Sequence, residues 1–203
     1  GAASVINGYE SITGQINVEY KKPEGDELLH LNTYVNNKGK IESNVNAKAS
    51  VNDKISTMVL AHYEYLKAEH DHNNDLFMDM PLIEQYNFMN RWKYKSGSLE
   101  GQLGLSFLSE SRKAGQLSDI DPENTPNSEA YKISINAENL QAFSKTGFIF
   151  PGREETSIDF QNKFTYHDQN AVFGLRKYLA EQKSWYSNLI IHTYVGTLDH
   201  KIN

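Results

Sequence analysis

The chain contains no cysteine. That excludes disulfides, thiolate metal sites and cysteine nucleophiles, and it fits the cytosol and a bacterial envelope equally well. Concentrated positive charge is also missing: 20 Lys and Arg stand against 26 Asp and Glu, a net charge of -6. Phosphate backbones are bound by clustered cations, so a nucleic-acid partner is set aside. Long apolar runs are absent too, the longest covering only residues 58–61, far short of the roughly 20 residues a membrane helix needs. There is no P-loop, nucleophile elbow or dinucleotide fingerprint, and no Ser sits in a motif that pairs it with a base, so the sequence is not read as that of an enzyme. Neither a start methionine nor a signal peptide opens the chain, and residue 1 is expected to be a mature terminus or an internal boundary.

Aromatic and short polar residues are plentiful, with 12 Tyr and 9 Phe, and they recur with a period of two. Ile41, Ser43, Val45, Ala47, Ala49 and Val51 alternate with Glu42, Asn44, Asn46, Lys48, Ser50 and Asn52. Leu99, Gly101, Leu103, Leu105 and Phe107 alternate in the same way with Ser98, Glu100, Gln102 and Ser106, and Ile158, Phe160, Phe164 and Tyr166 with Asp159, Gln161, Lys163 and Thr165. Spacing of i, i+2, i+4 is that of a strand with two unlike faces, not of a helix. About ten such segments are counted, and all five prolines fall between them, where no ladder hydrogen bond is lost. The chain is therefore expected to be all-β. Tight connections at residues 37–39, 51–54 and 96–97 and long ones at 68–82 and 110–130 predict an antiparallel up-and-down meander, with hairpin turns on one side and long loops on the other.

Two kinds of protein fit that alternation. A soluble β-sandwich or barrel that binds a small ligand or a protein partner would turn the apolar face inward. A membrane barrel would turn it toward lipid, line its lumen with the polar face, and set Tyr and Trp near the headgroups. Tyr63, Tyr65, Tyr86, Trp92, Tyr94, Tyr131, Tyr166 and Trp185 are expected toward strand ends, which favours the second.

The opening residues add a resemblance. Gly1-Ala2-Ala3-Ser4-Val5, Asn7-Gly8-Tyr9-Glu10-Ser11-Ile12, Gly14-Gln15-Ile16-Asn17-Val18 and Lys21-Lys22-Pro23 together resemble the end of the plug domain of TonB-dependent outer-membrane receptors. The triplet Tyr9-Glu10-Ser11 departs from the commoner form. Asp79-Met80-Pro81, Gln85-Tyr86-Asn87-Phe88, Asn90-Arg91-Trp92 and Tyr166-His167-Asp168 are similar, more loosely, to barrel segments of the Bacteroidetes-type branch. The resemblance implies that residues 1–23 end a plug and residues 24–203 form the first part of a transmembrane barrel of about twenty-two strands. It further implies a place in the bacterial outer membrane, a TonB complex acting through an upstream plug segment, and active uptake of a scarce solute such as a siderophore, haem, cobalamin, a metal chelate or a glycan. No cofactor is required, the bilayer is itself a partner, and loops 68–82 and 110–130 contribute to capture of the solute. The last residues, 198–203, read as the middle of a polar connection.

One stretch has the look of a metal site. Asp71, Asn73, Asp75 and Asp79 have the i, i+2, i+4, i+8 spacing of a calcium loop, in which hard oxygens surround a hard cation. Leu76 replaces the usual turn glycine and Leu82 the bidentate Glu, so calcium would be held weakly. His70 and His72 with Asp71 could instead take zinc or copper, and a solvated loop fits as well. His30, His62, His167, His192 and His200 fall singly and are expected to face the lumen or an interface. Asp119, Asp121, Glu154 and Glu155 are expected to be surface charge in proline-containing loops.

Overall fold

The computed structural model describes residues 21, 23, 27–117, 130–194 and 201–202. Nine strands follow one another in space as they do in sequence: β1 (Leu29–Val35), β2 (Ile41–Asn52), β3 (Ile55–Leu66), β4 (Leu82–Ser96), β5 (Leu99–Gly115), β6 (Lys132–Phe150), β7 (Arg153–Phe173), β8 (Arg176–Tyr194) and the short β9 (Lys201–Ile202). Every neighbouring pair is antiparallel. The all-β meander expected from the alternation is the fold. The plug-like residues 1–20, the centre of the 110–130 connection and the polar stretch 195–200 lie outside the described residues.

The turns show why the register holds. Asn36 Oδ1 accepts from the N–H groups of Lys38 and Lys40 at 2.9 and 3.1 Å, and Asn52 Oδ1 from those of Lys54 and Ile55, both at 2.9 Å. Such side chains imitate a turn carbonyl. Gly97 opens the two-residue β4–β5 turn with φ of 56°, which matches the twist of the flanking strands and which a side chain would resist. In a meander, ends must alternate, so the turns at 53–54, 97–98 and 151–152 share one end of the sheet. The 36–40 turn, the connections at 67–81 and 116–131 and the tight 174–175 turn share the other. The expected separation of short turns from long loops is thus corrected: the loop end carries two tight turns as well.

Several strands run past their expected limits. β5 continues to Gly115, and Glu154 and Glu155 belong to β7 rather than to a loop. β7 reaches 21 residues, whereas crossing a bilayer takes about 9–11. Tyr166 and Trp185 consequently sit well inside their strands, whereas Tyr63, Tyr65 and Tyr94 lie within three residues of a strand end, as expected.

Only Met58, Leu66, Ile83 and Ala171 are buried hydrophobics among the described residues. A soluble fold of this size buries most of its apolar surface, yet here one sheet stands alone with no second layer among the described residues. On β5, Leu99, Leu103, Leu105 and Phe107 are exposed, while Glu100, Gln102 and Ser106 between them are half-buried and Gly104 is buried. The sheet therefore curls toward its polar face. Eight strands suffice to close a small barrel, but among the described residues β1 pairs only with β2 and stands, like β9, at an edge of the sheet.

Candidate solute-facing site

The convex face carries a continuous apolar band. Phe88, Phe107, Leu140 and Tyr166 lie in one row across β4 to β7, and Leu99, Phe148, Ile158 and Ile191 in another across β5 to β8. The span from Leu99 to Phe107 is roughly 27 Å along the strand; a tilt of about 40° reduces it to roughly 21 Å, near the ~25 Å apolar belt of outer-membrane barrels. At its upper margin Tyr63 stacks near Tyr65 and Tyr86, with centroids 6.2 and 5.0 Å apart. Tyr86 donates to Glu84 at 2.8 Å, and Lys67 and Lys183 stand 5.0 and 5.5 Å over the rings of Tyr65 and Tyr166. Glu84 beside it raises the Lys67 amine above its ordinary value. Aromatic rings capped by long cationic side chains are what an interface between hydrocarbon and water selects.

From the row that Tyr63 and Tyr86 share with Ser109 toward the loop end, the two faces exchange character on β5 to β8. The convex face now shows Ser109, Glu138, Asp168 and Glu181, directly opposite one another across β5 to β8. Three to five residues nearer the loop end, the concave face shows Leu66, Ile83, Ile133, Ile135, Ala171 and Phe173, of which Leu66, Ile83 and Ala171 are buried. No bulge accompanies the exchange on β6, whose register to β7 runs unbroken from Ile133 to Ile149. The apolar residues thus change faces without any slip of the strand.

Elsewhere the concave face is a polar wall, which on β2 and β3 reaches the loop end. Lys40 bridges Glu42 and Glu64 at 2.5 and 2.8 Å, and hydrogen bonds to both raise its amine above the ordinary lysine value. His62 meets Asn44 at 2.8 Å and Glu64 at 3.8 Å. All four histidines described on strands, His30, His62, His167 and His192, fall on this face by register. Arg91, Gly104 and Phe143 share a row. A Cβ on Gly104 would come within 2.2 Å of the Phe143 ring, so glycine lets that ring lie across β5 and meet the Arg91 guanidinium at 5.8 Å. Lys21 and Pro23 also lie against this face: Arg91 donates to the Lys21 carbonyl at 2.8 Å, and buried Pro23 lines a hollow of about 490 Å³ with Lys48, Ser50, Lys93 and Lys95.

The oxygen-rich loop is built differently from its spacing. Asp71 accepts from the N–H groups of Asp75 and Leu76, Asp75 from that of Phe77 and from the Asn73 amide, and Asp79 from that of His72. The oxygens expected to hold calcium thus hold the loop's own backbone, and they support left-handed Asn74 and Leu76, with φ of 58° and 69°. Among the described residues no three His, Asp or Glu side chains gather to hold a metal. His70 binds the Lys38 carbonyl at 2.8 Å, which ties the loop to the 36–40 turn. Phe77 bridges to Gln116, with Met78 N–H on Gly115 O and Leu117 N–H on Leu76 O, both at 2.9 Å. Loop 67–81 is consequently an ordered rim, a feature that residue spacing did not announce. Asp119, Asp121 and His200 lie outside the described residues.

Compared with protein families, with curated proteins and with solved structures, the chain matches none.

Proposed function

We propose that the chain forms part of the wall of an outer-membrane receptor of the TonB-dependent kind, with its convex face in lipid and its concave face lining a bore through which a scarce solute is taken up. The observation that carries this reading is the exposed apolar band of membrane height bounded by aromatic rings with lysine caps. In lipid every backbone polar group needs a partner, so strands must close into a barrel. The sheet edges at β1 and β9 support a barrel wider than these strands. The contact of Lys21 with Arg91 supports entry of the chain from the bore side, as the resemblance of residues 1–23 to a plug terminus requires. In such a receptor a TonB complex pulls on the plug, and the rim built by loop 67–81 and the neighbouring turns meets the solute first.

Fractionation of cells expressing the full gene product tests this. The protein is expected in the outer-membrane fraction, migrating faster unboiled than boiled on a denaturing gel. Recovery in the soluble fraction with a single migration would favour the soluble binding-module reading instead.

A further inference from the structure

At the loop end of the concave face, four half-exposed rings surround a sealed floor. Phe77 pairs with Gln116, and Gln116 with Tyr131 through an N–H to carbonyl bond of 2.9 Å and a side-chain bond of 2.6 Å; antiparallel partners share a face, so both rings lie on it. Phe173 stands opposite Ile133 one row below, and Tyr178 opposite Ala171 in the next. Phe77, Tyr131, Phe173 and Tyr178 are 42%, 45%, 38% and 53% exposed, while Ala171 beneath them is at 0%. The Tyr131 ring is held over Gly174, where a Cβ would come within 2.9 Å of two ring atoms.

The carboxylates beside these rings are engaged: Asp75 accepts from the Phe77 N–H at 2.9 Å, and Asp71 and Asp79 from other N–H groups of the same loop. Glu110 closes on Arg112 at 2.8 Å and neutralises it. Arg176 faces Phe173 in register and is exposed at the rim. Glu138, Asp168 and Glu181 are on the other face, three or more residues nearer the turn end.

We propose that this surface binds a solute with a flat aromatic or macrocyclic ring bearing an anionic group at its edge. The inference rests on the uptake reading and names its substrate class. Ring faces stack on Tyr131, Phe173 and Tyr178 in offset or edge-on geometry, and the planar Arg176 fork takes the edge anion. A glycan would need many converging hydrogen-bonding side chains, which the described part of this surface does not present; a bare cation would need free carboxylates, whereas those of Asp71, Asp75, Asp79 and Glu110 are engaged with N–H groups or with Arg112.

The test uses the full-length protein in detergent, titrated with ferric protoporphyrin, with the porphyrin's dimethyl ester and with maltohexaose. Saturable binding of the porphyrin is expected, weakened roughly three- to tenfold by Phe173→Ala or Tyr178→Ala and retained in Tyr178→Phe. Arg176→Gln should weaken the free acid and leave the ester unchanged. Heat-modifiable migration of each variant establishes that it is folded. Absence of saturable porphyrin binding, binding of maltohexaose alone, or folded Phe173→Ala and Tyr178→Ala variants with undiminished affinity would overturn the inference. Fractionation separates the two readings: a soluble protein defeats uptake, whereas a membrane protein indifferent to these probes defeats only the ring site.

Discussion

The turn-end half of the sheet and its loop-end half are built from the same strands and opposite patterns. Toward the turns, the convex face is apolar and the concave face polar; toward the loops, Ile133, Ile135, Ala171 and Phe173 face inward and Glu138, Asp168 and Glu181 outward. A strand does not prefer either arrangement. On the proposed reading, what differs is the solvent outside, hydrocarbon in one half and water in the other, with Tyr63, Tyr86 and Tyr166 close to the change.

The sharpest way to break the comparison is to place one charge in each half. Leu105→Arg, at the middle of the convex band, should destabilise the barrel by about 2–4 kcal/mol, while Ser109→Arg on the same face above it should stay within about 0.5 kcal/mol. Unfolding in urea from lipid vesicles reads both. Equal costs would mean that both positions see one solvent. Gly104→Ala comes next: with the Phe143 ring in the way, overpacking should cost about 1–3 kcal/mol, and adding Phe143→Ala should recover part of that loss. Failure of the double variant to recover would place the glycine's role in its backbone.

A smaller effect sharpens the view of the rim. Lys40 has its amine raised by Glu42 and Glu64, so it binds its proton more tightly folded than unfolded. Its contribution is full below the ordinary value of about 10.5 and fades as pH rises through the raised value. Lys40→Met should therefore be less stable than the natural chain below about pH 10, by about 1 kcal/mol or less, and the gap should narrow at higher pH. A gap independent of pH would assign the loss to packing. The smallest effect concerns Glu138, Asp168 and Glu181, like charges directly opposite one another across β6 to β8. Asp168→Asn should stabilise by about 0.2–1 kcal/mol at low salt and by less at high salt.

The same exchange of faces explains what the sequence could convey. Alternation from Ile41 to Val51 and from Leu99 to Phe107 identifies strands because one environment holds throughout. On β6 the apolar residues are Ile133, Ile135 and Ala137 and then Leu140 and Ala142, a change of phase within one unbroken ladder. Period alone reads such a change as an end, and so β5 and β7 were expected to stop early. At residues 109–113 of β5 both faces are polar, and no alternation remains to read. The calcium-like spacing of Asp71, Asn73, Asp75 and Asp79 located an ordered loop, but spacing does not say whether an oxygen turns to an ion or to a nearby N–H. The ring surface escaped notice because Phe77, Tyr131, Phe173 and Tyr178 are brought together only by pairing between strands.

The absence of cysteine gives the most direct test. Single cysteines at Gln102, Leu103, Leu105 and Ser106 on β5, and at Ile135 and Asn136 on β6, can be probed in lipid vesicles with a water-soluble maleimide and with a bilayer-confined quencher of a thiol-linked dye. The account predicts that positions 103 and 105 respond to the quencher and resist the maleimide, that 102 and 106 do the reverse, and that neither 135 nor 136 meets the quencher. Labelling of 103 and 105 from water as fast as 102 and 106, with no response to the quencher, would contradict it.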